Sequence, residues 1–317
     1  MKLSITTVSF NTRELLERRL RSAQLYPPAV SFEEIVVDNG STDKSAEMVA
    51  ERFPNVRLIR NDENRGFAAA NNQGLQIAAG EIVLFLNSDT ELLPGSLDPL
   101  IMYLESSPTV GVVGPTEQTG DGMPYPTICP FPDLSFVFLT HTGLRHRFYK
   151  NRAINPYRRL WEKARLTGEP TVVDWLSGAS FMVRRKVLEE IGFFDERYFF
   201  YMEETDLCKR ACAAGWLVVF VPYAAIIHHG NGSTGKAPGG LLTLSGTLSE
   251  LRYFSKHHTR PECLILKCLL CCEMLLKFVI AGQADPRQWA YWEILRAIFG
   301  RRPTHVIRED LCRQSVS

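Results

Sequence analysis

Five short runs rich in Val, Ile and Leu, each ending in turn residues, recur through the first third of the chain with helical patterns between them. They are LSITTVSF (3–10), EEIVVDN (33–39), VRLIRN (56–61), EIVLFLN (81–87) and VGVVGP (110–115). The spacing predicts strands there and helices over about 12–25, 42–53, 67–79 and 95–106, the third stopped near Gly80. Strands separated by helices cannot join as hairpins. They imply crossover connections and a mostly parallel sheet covered on both faces.

The alternation then breaks. Residues 116–135 are rich in Pro, Gly and Thr and read as a loop, while 136–165 mixes aromatic residues with many Arg and Lys. That basic block reads either as a solvated helical insertion or as a face for anionic lipid or a diphosphate. Order returns as two short strands around Gly178, a helix in EETDLCKRACAAG that Gly215 stops, and strands in WLVVFVP and AIIHHG. NGSTGKAPGG (231–240) is a loop by composition. We therefore place an α/β domain over 1–240, with 116–170 as its variable part, and a helical region over 241–317.

Within that tail, Lys267, Glu273 and Lys277 of CLILKCLLCCEMLLKFVIA (263–281) fall within about one third of a helical wheel turning about 100° per residue. The remainder is apolar, which fits a core helix or one lying in a membrane interface. A spanning helix fits poorly, because a charge at the bilayer centre costs roughly 2.5–3.5 kcal/mol. Arg296, Arg301 and Arg302 follow, and favour peripheral attachment to an anionic leaflet over burial.

Bulk composition narrows the partners. Among 317 residues, 36 Lys and Arg balance 35 Asp and Glu for a net charge of +1, which gives no case for nucleic acid. The opening MKLSITTVSFNTRELL carries no basic segment followed by an apolar stretch and cleavage site, so a cytoplasmic location is expected. The eight cysteines are scattered or lie in an apolar run, as free thiols do in a reducing compartment. Cys263, Cys268 and Cys271 match an iron–sulfur spacing, but Leu, Ile and Lys between them in a helical run argue against a cluster.

Chemistry gathers where strands end. VLFLNSDTELLPG (83–95) closes a core strand on Asp89, which reads as a turn or helix-capping residue, or as a metal ligand at the carboxyl edge of a parallel sheet. Asp38 closes the second strand in VVDNGSTD, and NRGF (64–67) follows the third. Glu203, Glu204 and Asp206 stand at a helix start, where carboxylates stabilise the helix end by roughly 0.3–1 kcal/mol or serve as a base.

Taken together, VSFN (8–11), VVDNGSTD (36–43), NRGFAAANNQG (64–74), LNSDT (86–90), WLSGASFMVRR (175–185), FFDERYFFYMEETDL (193–207) and IIHHGNGS (226–233) resemble the family-two inverting glycosyltransferases. The match runs in order over about residues 3–235 and is similar in wording to the rhamnosyltransferase-type branch of bacterial polysaccharide synthesis. It implies the GT-A fold, an α/β Rossmann-like sheet with flanking helices.

By resemblance, Ser9, Asn11, Asp38, Asn39, Asn64, Arg65, Gly66, Asn87, Ser88 and Asp89 bind the nucleotide-sugar, with Asp38 at the nucleoside and Arg65 near the base. Asp89 and His228 are implied to hold Mn²⁺ or Mg²⁺. The first position of the family's Asp-x-Asp element is here Asn87, which leaves one carboxylate. Hard cations take oxygen ligands from phosphate and water as well as protein, and an imidazole favours Mn²⁺. The catalytic base falls on Glu204, with Glu203 as the alternative. Trp175 and Gly178 read either as shaping the acceptor pocket, the glycine by allowing close approach, or as a buried Trp packed beside a glycine, and Asp206 is expected on the acceptor side.

The expected partners are dTDP-rhamnose or a UDP-sugar as donor, a glycan or lipid-linked acceptor, and the inner face of the cell membrane. SFNTRELL after the first strand lacks the G-x-G-x-x-G of a dehydrogenase and the glycine-rich basic loop of a nucleotidyltransferase. An inactive membrane-attached scaffold of the same fold draws support only from Asn87 and Glu204.

Overall fold

A computed structural model describes residues 1–142, 144, 155–230, 239–281 and 287–300. The centre of the basic block, most of the 231–240 loop, and Arg301, Arg302 and Cys312 lie outside the described residues.

Strands β1 (Leu3–Ser9), β2 (Phe32–Asp38), β3 (Arg57–Arg60) and β4 (Ile82–Leu86) pair in parallel in the order β3-β2-β1-β4. The crossovers are helices α1 (Arg13–Leu25), α2 (Ser45–Arg52) and α3 (Phe67–Ile77). In α1, Leu16, Leu20 and Ala23 recur at helical spacing and are buried. In β4 the two faces go to different cores. Val83 and Phe85 pack in one cluster, and Ile82, Leu84 and Leu86 in the other. That two-sided burial is why the strand reads as an unbroken apolar run.

Beyond β4 the sheet becomes mixed. β5 (Thr90–Leu92) and helix α4 (Asp98–Ser106) lead into β6 (Val110–Gln118). β11 (Ser180–Arg184) lies antiparallel between β4 and β6, and β12 (Leu217–His228) runs parallel to β6 and antiparallel to β5. The stretch expected as a loop after residue 115 differs from that reading. Pro115 looks like a strand end, yet β6 continues to Gln118 and pairs β7 (Pro124–Tyr125), and β8 (Ile128–Cys129) follows. The two strands expected in WLVVFVP and AIIHHG form the single strand β12, with a register shift between Val221 and Ala225 that absorbs Pro222.

The basic block contributes α5 (Leu134–His141) and α6 (Pro156–Thr167); Phe136, Val137 and Trp161 are buried. Short strands β9 (Thr171–Val172) and β10 (Trp175–Leu176) precede β11, and α7 (Arg185–Ile191) and α8 (Glu203–Ala213) precede β12. The tail forms α9 (Gly239–His257), α10 (Arg260–Ala281) and α11 (Gln288–Ile298). These helices share a core of Leu244, Tyr253, Phe254, Leu266, Leu270, Met274, Tyr291 and Ile294 with Val137 and Tyr198.

Helix α10 therefore has two faces. Leu266, Leu270 and Met274, four residues apart, are buried, while Leu264 (62%), Leu276 (60%), Val279 (78%) and Ile280 (74%) are exposed. No described helix is long and apolar enough to cross a membrane.

Candidate active site

In the order β3-β2-β1-β4 the chain winds outward in opposite directions from the line between β1 and β4, the kind of switch point where open α/β sheets bind ligands beyond the strands' carboxyl ends. Ser9 ends β1 beside Asp38 at the end of β2, and Asn87, Ser88 and Asp89 follow β4. Thr12, at the start of α1, joins the two strand ends, since its hydroxyl bonds Ser9 at 3.0 Å and donates to Ser88 at 2.9 Å.

A second loop closes the cradle. Ser41 N–H donates to Asp38 Oδ2 at 3.1 Å, and Asn11 Oδ1 accepts from Thr42 N–H at 2.8 Å. Asn39 binds both sides of the next loop, donating to Asn64 Oδ1 at 2.8 Å and accepting from Arg65 N–H at 3.0 Å. Burial raises the Asp38 pKa, opposed by the Ser41 hydrogen bonds and reinforced by Asp43 and Glu47. Its Oδ1 is buried without a hydrogen-bond partner, an acceptor suited to a nucleoside N–H or hydroxyl. The Arg65 side chain is exposed at the rim.

His228, at the end of β12, brings its Nε2 within 3.4 Å of Asp89 Oδ1. Its Nδ1 lies 2.9 Å from Glu117 Oε2 and 2.6 Å from the Tyr125 hydroxyl, which itself donates to Glu117 at 2.7 Å. Burial opposes the imidazolium, but the hydrogen bonds to Asp89 and Glu117 outweigh it and raise the His228 pKa to about 10. Glu117 is almost wholly buried. Sequence reasoning passed over Glu117 and Tyr125, since both lie in the stretch read as loop.

An ion here would displace the Nε2 proton of His228, and the pair then fits a divalent ion. Two donors on an octahedral ion with bonds of about 2.1 Å stand about 3 Å apart, close to the Asp89–His228 separation. Glu117 engages the opposite ring nitrogen, as carboxylates commonly do behind ligating histidines. No group of three or more His, Cys, Asp or Glu side chains suited to a metal occurs among the described residues. An ion held by this pair would need its remaining ligands from elsewhere, such as phosphate oxygens and water.

Glu203 and Glu204 open α8 directly after Tyr201 and Met202, whose φ values are 71° and 69°. Two consecutive side-chain-bearing residues in the left-handed region cost of order 1–3 kcal/mol each and mark a position fixed by its surroundings. A Cβ on Gly178 would lie 3.3 Å from Glu204 Cδ, so the glycine gives the carboxyl its space. The next residue, Ala179, accepts the Asn87 N–H at 2.9 Å, which joins the Glu204 wall to the Asp89 loop.

Burial raises the Glu204 pKa to about 7 against the pull of its own and Thr205's N–H groups. Glu203 is pushed well higher, by deeper burial and by the charge of Glu204, and its Oε2 has no partner. A half-buried carboxyl that ionises near neutrality is suited to accept a proton.

Asp206 is fully buried and engaged by Arg210 Nε at 2.8 Å, Lys256 Nζ at 2.9 Å and His257 Nε2 at 2.7 Å. Burial would raise its pKa, but those three partners hold it down to about 2. Trp175 is half-buried and donates its indole N–H to Pro130 O at 2.7 Å.

The sequence pattern of Glycosyl transferase family 2 matches residues 4–192. An N-acetylglucosaminyl-diphospho-decaprenol L-rhamnosyltransferase of Mycobacterium tuberculosis is 35% identical over 254 residues, 76% of this chain and 80% of that protein. The O-antigen biosynthesis protein RfbC of Myxococcus xanthus is 32% identical over 244 residues, 73% of this chain but 18% of its own length.

In fold, a mannosyltransferase from Pyrobaculum calidifontis, solved with GDP-Man and Mn²⁺, aligns over 90% of this chain and 76% of its own, with a TM-score of 0.55 at 18% identity. GalNAc-T7, solved with UDP, GalNAc and Mn²⁺, aligns over 99% of this chain and 57% of its own, with a TM-score of 0.60 at 16% identity. The resemblance read from seven motifs is borne out, and the chain belongs to Glycosyl transferase family 2, as a rhamnosyltransferase-like member with the GT-A fold.

Proposed function

We propose that this glycosyltransferase moves rhamnose from a nucleoside-diphosphate sugar, dTDP-rhamnose or failing that a UDP-sugar, to a lipid-linked glycan with inversion at the anomeric carbon. The observation that carries the chemistry is Glu204, a carboxyl with a pKa of about 7 packed on Gly178 one hydrogen bond from the Asp89 loop. The choice of sugar and acceptor rests on the similarity to the mycobacterial rhamnosyltransferase.

In this reading the nucleoside sits over β1 and β2, with Asp38 Oδ1 accepting from it and Asn39 holding the 64–66 loop against it. Asp89 and His228 would hold a divalent ion, Mn²⁺ by preference for the imidazole, and its charge would be available to offset the diphosphate leaving group. Glu117 and Tyr125 fix the His228 ring so that Nε2 faces Asp89.

The acceptor enters on the Glu204 side. Its hydroxyl oxygen bonds to the anomeric carbon as the carbon–oxygen bond to the diphosphate breaks. The hydroxyl proton passes to Glu204, and the electron pair leaves with the nucleoside diphosphate. Glu203, held protonated by burial, lets the neighbouring Glu204 ionise alone. The acceptor's lipid places the site at a membrane, and the exposed apolar face of α10, with Lys267 and Lys277 on the same helix, is the surface we assign to the inner leaflet.

Calorimetric titration of dTDP, UDP and GDP, with and without Mn²⁺, tests the donor half of this reading. Metal-dependent binding of dTDP ahead of the others is the expected result. Tighter binding of UDP or GDP would reassign the donor, and no binding by the folded protein would overturn the reading.

A further inference from the structure

The loop that carries the two glutamates is gripped from both sides. On one side Phe199 O accepts the Phe67 N–H at 2.9 Å, and Gly66, at φ 85°, approaches so closely that a Cβ there would stand 2.7 Å from Phe199 O. That contact belongs to the same 64–67 loop that Asn39 holds. On the other side the grip comes from α9. Ser249 Oγ donates to Phe200 O at 2.9 Å, Ser245 Oγ to the same oxygen at 3.4 Å, and Gly246 packs on the Tyr201 ring.

Lys256 adds a longer-range tie. Its ammonium lies 3.0 Å from Asp195 and 2.8 Å from Asp206, residues that flank the glutamates in sequence on either side. One cation thus draws together the two ends of the segment 195–206, while Ser249 holds its middle. The strained pair Tyr201 and Met202 lies between these anchors, immediately before Glu203. A backbone in that region persists only when its surroundings over-determine it, and α9 supplies half of the surroundings.

We infer that α9 is a clamp on the catalytic loop, with Lys256 and Ser249 as positioning residues that set where the Glu204 carboxyl stands. They act through Asp195, Asp206 and the Phe200 carbonyl. The inference deepens the base assignment above and rests on it for its kinetic consequence, whereas the clamp itself is a claim about the loop alone.

The test compares Lys256→Met, Lys256→Arg, Ser249→Ala and, as a control in the same tail, Lys277→Met, all in the full chain. Hydrogen exchange of the amides in 199–206 is measured first, without substrate. The clamp predicts faster exchange there in Lys256→Met and Ser249→Ala, recovery in Lys256→Arg, and no change in Lys277→Met. Rates with donor and acceptor follow. A carboxyl displaced by about 1 Å can lose about 10²-fold in rate, so kcat for Lys256→Met should fall by about that factor. The donor KM should stay within about twofold, and the acid limb of the pH–rate profile should shift.

Unchanged exchange in both variants overturns the clamp whether or not the protein turns over any sugar. Faster exchange with an unmoved kcat and acid limb overturns the positioning role. A wild-type protein that transfers nothing overturns the base assignment and leaves the exchange result to decide the clamp.

Discussion

Glu204 and Glu203 are adjacent acids given different surroundings by one turn of backbone. Glu203 points into the protein with an unpartnered oxygen, while Glu204 lies against Gly178 with a pKa of about 7. Glu204→Gln should lower kcat by about 10²–10⁴-fold, the usual worth of a positioned base, and leave nucleotide affinity within about twofold. Single-turnover transfer and calorimetry together check this. Because the ionised form is the base, the wild-type rate should rise with pH and level off above about 7.

Stability should move the opposite way. The folded pKa lies above the unfolded value, so the contribution of Glu204 is full below about 4.5 and is lost as pH rises through about 7. The Gln variant should therefore gain on the wild type in melting temperature at pH 8 relative to pH 4.5. Behind His228, Glu117→Gln should weaken Mn²⁺ binding by about 10–100-fold, the loss typical when the carboxylate behind a metal-ligating histidine is removed. Metal titration of the protein with dTDP present measures it.

Among elements, α10 shows how one sequence pattern can serve two environments. Its Leu266–Leu270–Met274 face is core, and its Leu276, Val279 and Ile280 face is bare. A helical wheel could not separate these, because both faces are apolar and only the packing partners Tyr253, Phe254 and Tyr291 distinguish them. Replacing both Val279 and Ile280 with Asp should leave the melting temperature within about 1 °C, since exposed substitutions usually cost little. It should also reduce co-sedimentation with anionic vesicles by tenfold or more. Undiminished sedimentation would remove α10 from the membrane-facing role.

Over the whole molecule, what could be read in the chain follows from where physical constraints are local. The β1–β4 half was legible because β1, β2 and β4 are buried on both faces and each crossover helix carries its own apolar stripe. Asp38, Asp89 and Glu204 were legible as carboxylates at element ends. Glu117 was not, because Pro115 mimics a strand end and its partner His228 is 111 residues away. Nor was the Lys256 tie to Asp206, 50 residues apart, since an isolated lysine near a helix end has no local signature. Asn87 leaves its motif one carboxylate, and the fold sets His228 Nε2 3.4 Å from Asp89 across two strands, the pair that the resemblance implied from two separate motifs.

The most direct measurement is the anomeric configuration, by NMR, of the product formed from dTDP-β-L-rhamnose and a polyprenyl-diphosphate-linked N-acetylglucosamine with Mn²⁺ present. The account predicts a single α-linked rhamnoside, formed by the wild type and nearly abolished by Glu204→Gln. A β-linked product, or full transfer by the Gln variant, would contradict it.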